Sequence, residues 1–468
     1  MKSAPSNDFH QEKSHVKLKI KICYSVGHVL NDFCSSLWFT YLLVYFQYVL
    51  NMGSTQAGTL LLIGQIIDGL TTPLVGLGIG KGKGKALCCG RPYKGWHIIG
   101  TICTILGFPA LFLPCFGCEK YGQWGILLWY GTFVALAQIG WAIVQISHMA
   151  LIPILAKTDN QRIEISSYKN AAGFVASIVV YSIAWLVFDL HTDASSVGEG
   201  NSKEFYLISF LCHGLGIVCS IIFWFGVTEE KQRDEVILTS LDAVPAQANQ
   251  SLVSWFRKRA FYTNLIVFTC GRLFGNLAQV YLPMYLQVTL SLPPMTLATV
   301  PMTLYISGFF TSMLVKWIRN SLDPVILLWS AITIGFVSSA GIWFGEGYIY
   351  DTYLIYFVAV LFGASGSIMF IISLASTANF IGDDVKSSGF VYGVYSLSDK
   401  ILNGVVVFVI QYIHPERDSP FCGEFYRWVL PIVCSVSLAI ALSTQFGPIF
   451  TKRKGYKIEE TISISTKL

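Results

Sequence analysis

Apolar residues along the chain come in long runs separated by short polar breaks, and almost every run is long enough to cross a hydrocarbon core, which takes about 20 residues as a helix. The runs predict twelve spanning helices, over residues 22–49, 56–80, 96–116, 123–155, 166–190, 205–227, 260–287, 296–318, 324–344, 353–380, 389–413 and 427–449. No soluble domain of ordinary size fits between them.

The polar breaks carry a second, independent signal, because loops on the cytosolic side of a membrane collect Lys and Arg near the span ends. With the N-terminus placed in the cytosol, the loops on that side hold 25 of the 32 Lys and Arg residues. Lys120, Lys203, Arg417 and Arg427 fall on the other side, and Lys169, Arg272 and Lys400 fall inside spans. A wrong span count would scramble this asymmetry, so both termini are expected in the cytosol. The longest cytosolic connection, residues 228–259, divides the chain into a tail (1–21), a six-helix bundle (22–227), the central loop, a second six-helix bundle (260–449) and a tail (450–468). In carriers built from two such pseudo-repeated bundles, the binding site lies near the bilayer midplane between the halves. The clearest internal echo is a Gly-containing span followed by a basic turn, at Gly64 to Lys85 and again at Gly308 to Arg319.

Composition supports the membrane reading: 53% of the 468 residues are apolar and 13% charged, against roughly 25% charged in a soluble domain. The net charge of +5 follows from the loop asymmetry, and no nucleic-acid partner is expected. The first 21 residues are polar and Lys-rich and the next apolar run is too long for a signal-peptide core, so the first span is expected to act as the insertion signal. Most of the 12 cysteines lie within spans, as small buried apolar residues. Cys115, Cys118 and Cys422 fall on the non-cytosolic side, where spacing does not set whether or how they pair. The stretch Gly78 to Lys85 lacks phosphate-loop spacing and reads as a basic turn against anionic headgroups. Asn249-Gln-Ser251 matches a glycosylation sequon on the cytosolic side, where it should be unused. No Ser-His-Asp or Cys-His arrangement, metal-spaced His cluster or long extramembrane segment is present, so the sequence argues against an enzyme and calls for no cofactor or metal. The expected partners are a small solute and the surrounding lipid, with the chain acting as a monomer.

Ionisable residues at membrane depth cost at least a few kcal/mol each and are candidates for function by default. They are Asp32 (span 1), Asp68 (span 2), Lys169 (span 5), Arg272 (span 7) and Asp399 with Lys400 (span 11). Three acids against three bases can be buried as pairs, and removing one partner strands the other at about 3–5 kcal/mol. Asn276 and Gln279 lie on the Arg272 face and suit a polar contact between helices. Lys169, placed in the first turn of span 5, either serves the site or snorkels to the surface. His28 and His148 either couple a proton or are hydrogen-bonded packing residues. The set suits a small zwitterion, whose carboxylate wants Arg or Lys and whose ammonium wants Asp. Trp38, Tyr41, Trp141 and Tyr392 are available to line the passage or to pack.

The run Asp68-Gly-Leu-Thr-Thr-Pro73-Leu-Val-Gly76, followed by Gly90-Arg-Pro-Tyr-Lys-Gly-Trp96, resembles the span 2 signature and basic loop of the glycoside-pentoside-hexuronide:cation symporters, a branch of the major facilitators. Asn31-Asp32-Phe33 is similar to that family's span 1 motif, and His148-Met-Ala-Leu-Ile-Pro153 with Thr158-Asp159 and Arg162 is similar to the end of its span 4. Three departures weigh against sugar and sodium: Thr72 replaces the second span 2 acid, Gln145 replaces a sugar-binding Asp, and Lys169 replaces an Arg. Cytosolic gating motifs also differ, around Gly80-Lys81 and at Ile154 after Pro153. Over nearly its whole length the chain is similar to cysteine importers of lysosomes and melanosomes. That resemblance is carried by Gly27-His-Val-Leu-Asn-Asp32, Trp38 to Leu43, Gln145-Ile-Ser-His148, Thr299-Val-Pro301, Tyr305 to Phe309, Phe390-Val-Tyr-Gly393 and Asp399-Lys400.

The resemblance implies an all-α major facilitator fold and secondary transport of cysteine from cytosol into lysosomes or melanosomes, with a proton as the coupling ion to test. It implies a translocation set of Asp32, Asp68, Thr72, Gln145, His148, Lys169, Arg272, Asn276, Asp399 and Lys400. In that set Asp32 meets the ammonium and Lys169 or Arg272 the carboxylate. The alternatives are a cation-coupled carrier of a sugar or lysolipid, and a non-transporting scaffold, for which no long interaction domain is present. Asp234-Glu-Val-Ile-Leu238 is followed by Thr239, not the second Leu or Ile of a dileucine sorting signal, so the compartment rests on resemblance alone.

Overall fold

The computed structural model describes residues 16–80, 91–118, 122–156, 159–191, 197–228, 252–318, 322–381, 388–415, 419 and 421–465. The sequon, the Asp234 segment, most of the basic turn after Gly80 and most of the central loop lie outside the described residues.

Twelve helices long and apolar enough to span a membrane are present among the described residues: α1 (Leu18–Val49), α2 (Ser54–Ile79), α3 (Tyr93–Phe112), α4 (Gly122–Met149), α5 (Glu164–Leu190), α6 (Glu199–Gly226), α7 (Arg259–Thr289), α8 (Thr296–Val315), α9 (Pro324–Phe344), α10 (Tyr350–Ile381), α11 (Phe390–Tyr412) and α12 (Cys422–Thr444). With an even number of spans, the chain enters α1 and leaves α12 at one face, called here the terminal face. Three boundaries differ from expectation. The run 123–155 is divided, because α4 stops at Met149 and a separate turn, Ile152–Leu155, starts around Pro153, which has no amide hydrogen to continue a helix. The helix of α5 begins at Asp159, so Lys169 stands in its third turn, not its first. The last helix continues to Ser465, through a stretch of helix-forming Lys, Arg and Glu where a tail was expected.

α1 and α7 are the most buried helices, and they carry an internal echo stronger than the one noted above. Tyr45-Phe-Gln47-Tyr-Val-Leu50 and Tyr285-Leu-Gln287-Val-Thr-Leu290 both form π turns, closed by Leu50 N–H to Tyr45 O (2.9 Å) and Leu290 N–H to Tyr285 O (3.1 Å). Each is followed by a left-handed residue, Asn51 (φ 53°) and Ser291 (φ 50°). The same alignment sets Tyr41 against Tyr281 and Asp32 against Arg272.

Within the first half, α3 and α4 approach to backbone contact, as small residues permit in lipid. A Cβ on Gly140 would stand 2.6 Å from the Thr104 nitrogen, and one on Gly107 2.6 Å from that of Ala137. Cys115 and Cys118 are joined by a disulfide between α3 and α4, while Cys422 is buried at the start of α12.

The halves meet along three helix pairs: α1 with α7, α2 with α11 and α5 with α8. Away from the terminal face they share one apolar core, to which α1 contributes Leu37, Tyr41 and Leu42, α7 contributes Leu277 and Tyr281, and α11 contributes Val407. Toward the terminal face the core divides. Cys23, Tyr24, Leu151, Ile165 and Phe223 form one cluster within the first half, and Val75, Ile79 and Ile143 another. Trp255, Phe261, Phe268, Val391 and Tyr395 cluster within the second half. The molecule is therefore sealed at the face opposite its termini and parted toward the terminal face.

Replacing Gly140 with Val should force α3 and α4 apart and cost about 1–3 kcal/mol, the usual penalty for overpacking. Gly76 has nothing within 4 Å of its Cβ position, so Gly76→Ala should leave stability unchanged or raise it by about 0.5–1 kcal/mol through helix propensity. Thermal unfolding of the two purified variants, compared with the unsubstituted chain, checks both.

Candidate functional site

α11 carries adjacent charges that reach two different neighbours. Lys400 Nζ lies 2.6 Å from Asp68 Oδ1 on α2 and donates to Thr72 Oγ1 at 2.9 Å. The Thr72 hydroxyl in turn donates to the Asp68 carbonyl at 2.8 Å. Both charged side chains are about nine-tenths buried, so the pair is desolvated and each member depends on the other. Thr72 contributes a neutral oxygen where the symporter pattern has a second carboxylate, and the Lys400 ammonium supplies the positive charge that neutralises Asp68.

The neighbouring Asp399 turns to α7. Its carboxylate accepts from Arg272 Nε at 3.2 Å and from Asn403 Nδ2 at 2.6 Å. Asp399 is buried, while the Arg272 side chain keeps 36% of its surface exposed and lies 5.5 Å from the Phe370 ring.

The third expected pair does not form. Asp32 Oδ1 accepts from His28 Nδ1, one turn away on α1, at 3.0 Å, and Asp32 Oδ2 is buried with no hydrogen-bond partner. Gly173 of α5 presents its Cα to this carboxylate, its Cβ position lying 3.3 Å from Oδ2, so a larger residue there would cover the oxygen. Lys169 stands one turn before Gly173 on the same face. Lys169 is partly buried and makes no hydrogen bond or ion pair among the described residues. The helix that carries it starts nearly three turns earlier, at Asp159.

The other predicted residues divide. His148 is buried behind the site, where Nε2–H donates to the Tyr24 carbonyl (2.7 Å) and its own carbonyl accepts from the Tyr24 hydroxyl (2.9 Å). Gln145 is half-buried on α4 and Asn276 is buried on α7. Neither of these two joins the charged pairs. Of the polar face predicted on α7, Gln279 makes the contact, donating to Thr40 and Tyr181 (both 3.4 Å). Trp38 and Tyr41 are core residues, Trp38 against Gly64 and Tyr41 donating to the Leu297 carbonyl at 3.2 Å. Tyr392 donates to the Leu374 carbonyl within the second half.

Two polar layers were missed in the sequence. Above the charges, Ser36 with Ser177 (3.1 Å) and Thr40 with Tyr181 (2.8 Å) join α1 to α5. Nearer the opposite face, Gln47 of α1 bonds Gln411 of α11, and Tyr426 donates to Gln47 at 3.5 Å. Gln411 also donates to Tyr281 at 3.4 Å, and Gln287 to the Val197 carbonyl at 3.1 Å. The matched positions of Gln47 and Gln287 in the two π turns were the available signal. The hydrogen bonds between described residues that join the halves run from this layer down to Asp68–Lys400.

With this geometry in place, comparison with known proteins is informative. Residues 23–413 match the profile of the family described as MFS/sugar transport protein. Among curated relatives, Major facilitator superfamily domain-containing protein 12 of Homo sapiens is 38% identical over 91% of this chain and 92% of its own. An uncharacterized symporter of Synechocystis sp. is 24% identical over 50% of this chain and 41% of its own. Among solved structures, a D-xylose-proton symporter shares the fold with a TM-score of 0.67 at 11% identity, covering 90% of this chain and 96% of that one. Twelve spans in two six-helix halves, a seal at one face and a profile match across most of the length agree: the chain is a transporter that belongs to the MFS/sugar transport protein family of the major facilitator superfamily.

Proposed function

We propose that the chain carries a small zwitterionic amino acid, with cysteine the leading substrate, across the lysosomal or melanosomal membrane by alternating access. One observation carries the reading: of three acids and three bases buried between the halves, two pairs are closed, and the third leaves an unpartnered carboxylate oxygen on Asp32 and an unpaired ammonium on Lys169. An α-amino acid completes both at once, its ammonium on Asp32 Oδ2 and its carboxylate on Lys169, with the exposed part of Arg272 on the far wall. Each charge-assisted hydrogen bond contributes about 1.5–3 kcal/mol. The choice of cysteine and of compartment is supported by the resemblance in sequence.

Transport requires the sealed face to open and the terminal face to close. The Gln47–Gln411 layer must then part, while Asp68–Lys400 is the innermost link between the halves and the first to feel their rotation. Lys400 is fully satisfied in the sealed conformer, so Asp68→Asn removes half of a desolvated pair, at about 3–5 kcal/mol if the charge is stranded.

Uptake of labelled L-cysteine by the purified chain in liposomes should be saturable, and should fall at least about tenfold in Asp68→Asn, as one lost charge-assisted contact of 1.4 kcal/mol or more requires. Uptake that is blocked by unlabelled sugars and not by cysteine would reassign the solute. Lys169→Gln should raise the KM for cysteine about tenfold and abolish the preference for cysteine over its methyl ester, which lacks the carboxylate. An unchanged preference would remove Lys169 from the site. A short bis-maleimide joining Gln47→Cys to Gln411→Cys should stop exchange of cysteine, and cleaving a reducible version of the linker should restore it.

A further inference from the structure

Besides the charged pairs, the first half buries a group of histidines around α1, and their hydrogen bonds sort them into two kinds. His97 of α3 is saturated: Nδ1 accepts from Trp224 Nε1 at 3.0 Å, so Nε2–H donates to the Gly27 carbonyl at 3.1 Å. His213 of α6 donates from Nδ1 to the Ser209 carbonyl at 2.7 Å and has the Cys34 sulfur 3.6 Å from Nε2. His28 and His148 differ. His28 commits Nδ1–H to Asp32 and leaves Nε2 buried with no partner, while His148 commits Nε2–H to the Tyr24 carbonyl and leaves Nδ1 buried with no partner. The two rings are neighbours, 5.3 Å apart between centroids and tilted by 57°.

Two buried ring nitrogens on adjacent rings, each with its lone pair unused, cost desolvation that a single proton relieves. Added to His28 Nε2, the proton forms one N–H bond on the ring that neighbours His148, and the imidazolium charge is held against Asp32 Oδ1, 3.0 Å from Nδ1. The other ionisable groups around the pair are committed: Lys21 of α1 to Glu164 of α5 at 2.5 Å, and Lys94 of α3 to the carbonyls of Trp224 and Val227 at the end of α6. α4 and α6 bring Ser147, Phe223 and Trp224, which carry no charge. The remaining charge is Lys169, one turn before Gly173, whose Cβ position lies 3.3 Å from the Asp32 carboxylate that His28 holds.

We propose that His28 and His148, backed by Asp32, are the binding site of one proton, and that this proton is coupled to the transported solute through Lys169. A free Lys169 cation repels a second positive charge on His28, and an anionic carboxylate seated on Lys169 cancels that repulsion, while the imidazolium and the solute's ammonium take opposite oxygens of Asp32. Proton and carboxylate therefore favour each other's binding, and by reciprocity each raises the affinity of the other by the same factor. The two travel together, as a symport. The solute that seats on Lys169 is the one inferred above, and the proposal rests on that reading for this step alone.

The full-length chain in liposomes tests it by the ratio of two fluxes of labelled L-cysteine measured on the same vesicles: net uptake driven by acid on the source side, and exchange with equal pH on both sides. The unsubstituted chain should show a ratio several-fold above one. His148→Gln, whose amide still reaches the Tyr24 carbonyl, and His28→Gln should bring the ratio to about one; a purely structural role would lower both fluxes and leave it unchanged. Exchange that proceeds while the unsubstituted chain ignores the gradient overturns the proton site and leaves the amino-acid reading intact. If cysteine moves in neither mode, that substrate reading fails, and histidine-labelled NMR of the solubilised chain decides the proton site. Ring signals of His28 and His148 that titrate as one, with that of His28 altered in His148→Gln, support the site; independent titration, or none, overturns it.

Discussion

Lipid leaves a buried charge no solvent to fall back on, and the arrangement of this transporter follows from how each charge is compensated. Consecutive residues on a helix point about 100° apart. Asp399 and Lys400 of α11 therefore face different neighbours, Arg272 on α7 and Asp68 on α2. One dipeptide thus ties α11 within its own half and across to the other. Removing either charge would leave a partner stranded, so the pairs hold the helices in one register without demanding tight apolar packing there.

Pseudo-symmetry explains why the first half is different. α1 and α7 match through their π turns down to the left-handed residue that ends each, yet the matched position is an acid in one, Asp32, and a base in the other, Arg272. In the second half the base finds Asp399 on the neighbouring helix. Among the described residues of the first half the acid finds only His28, and the Lys169 ammonium finds no carboxylate. A symmetric scaffold with asymmetric charge leaves one closed side and one side able to accept an external pair of charges. The π turns, with their extra residue per turn, sit where α1 and α7 cross the sealed face, next to the Gln47–Gln411 contact.

Much of the fold was legible in the sequence, because hydrophobic length in a membrane is a one-dimensional property. Twelve runs became twelve helices, and the split into two sets of six emerged from loop length. Errors fell where local hydropathy says little: the division of run 123–155 around Pro153, the early start of α5 and the continuation of α12 past residue 449. The six buried charges were also legible, since any Asp, Lys or Arg in an apolar run stands out.

The pairing among those charges was decided only by the tertiary structure. Which acid meets which base depends on the rotation of each helix about its axis and on which helices become neighbours, and neither is written in the hydropathy of a single run. Hence Asp32 turned to a histidine four residues away, His148 lay behind α1, and Gln47 and Gln411, unremarkable in the linear sequence, became links between the halves. The sequence by itself determined that charge would be buried and how much; three-dimensional packing decided which charge stayed open, because compensation in a low-dielectric interior acts over a few ångströms.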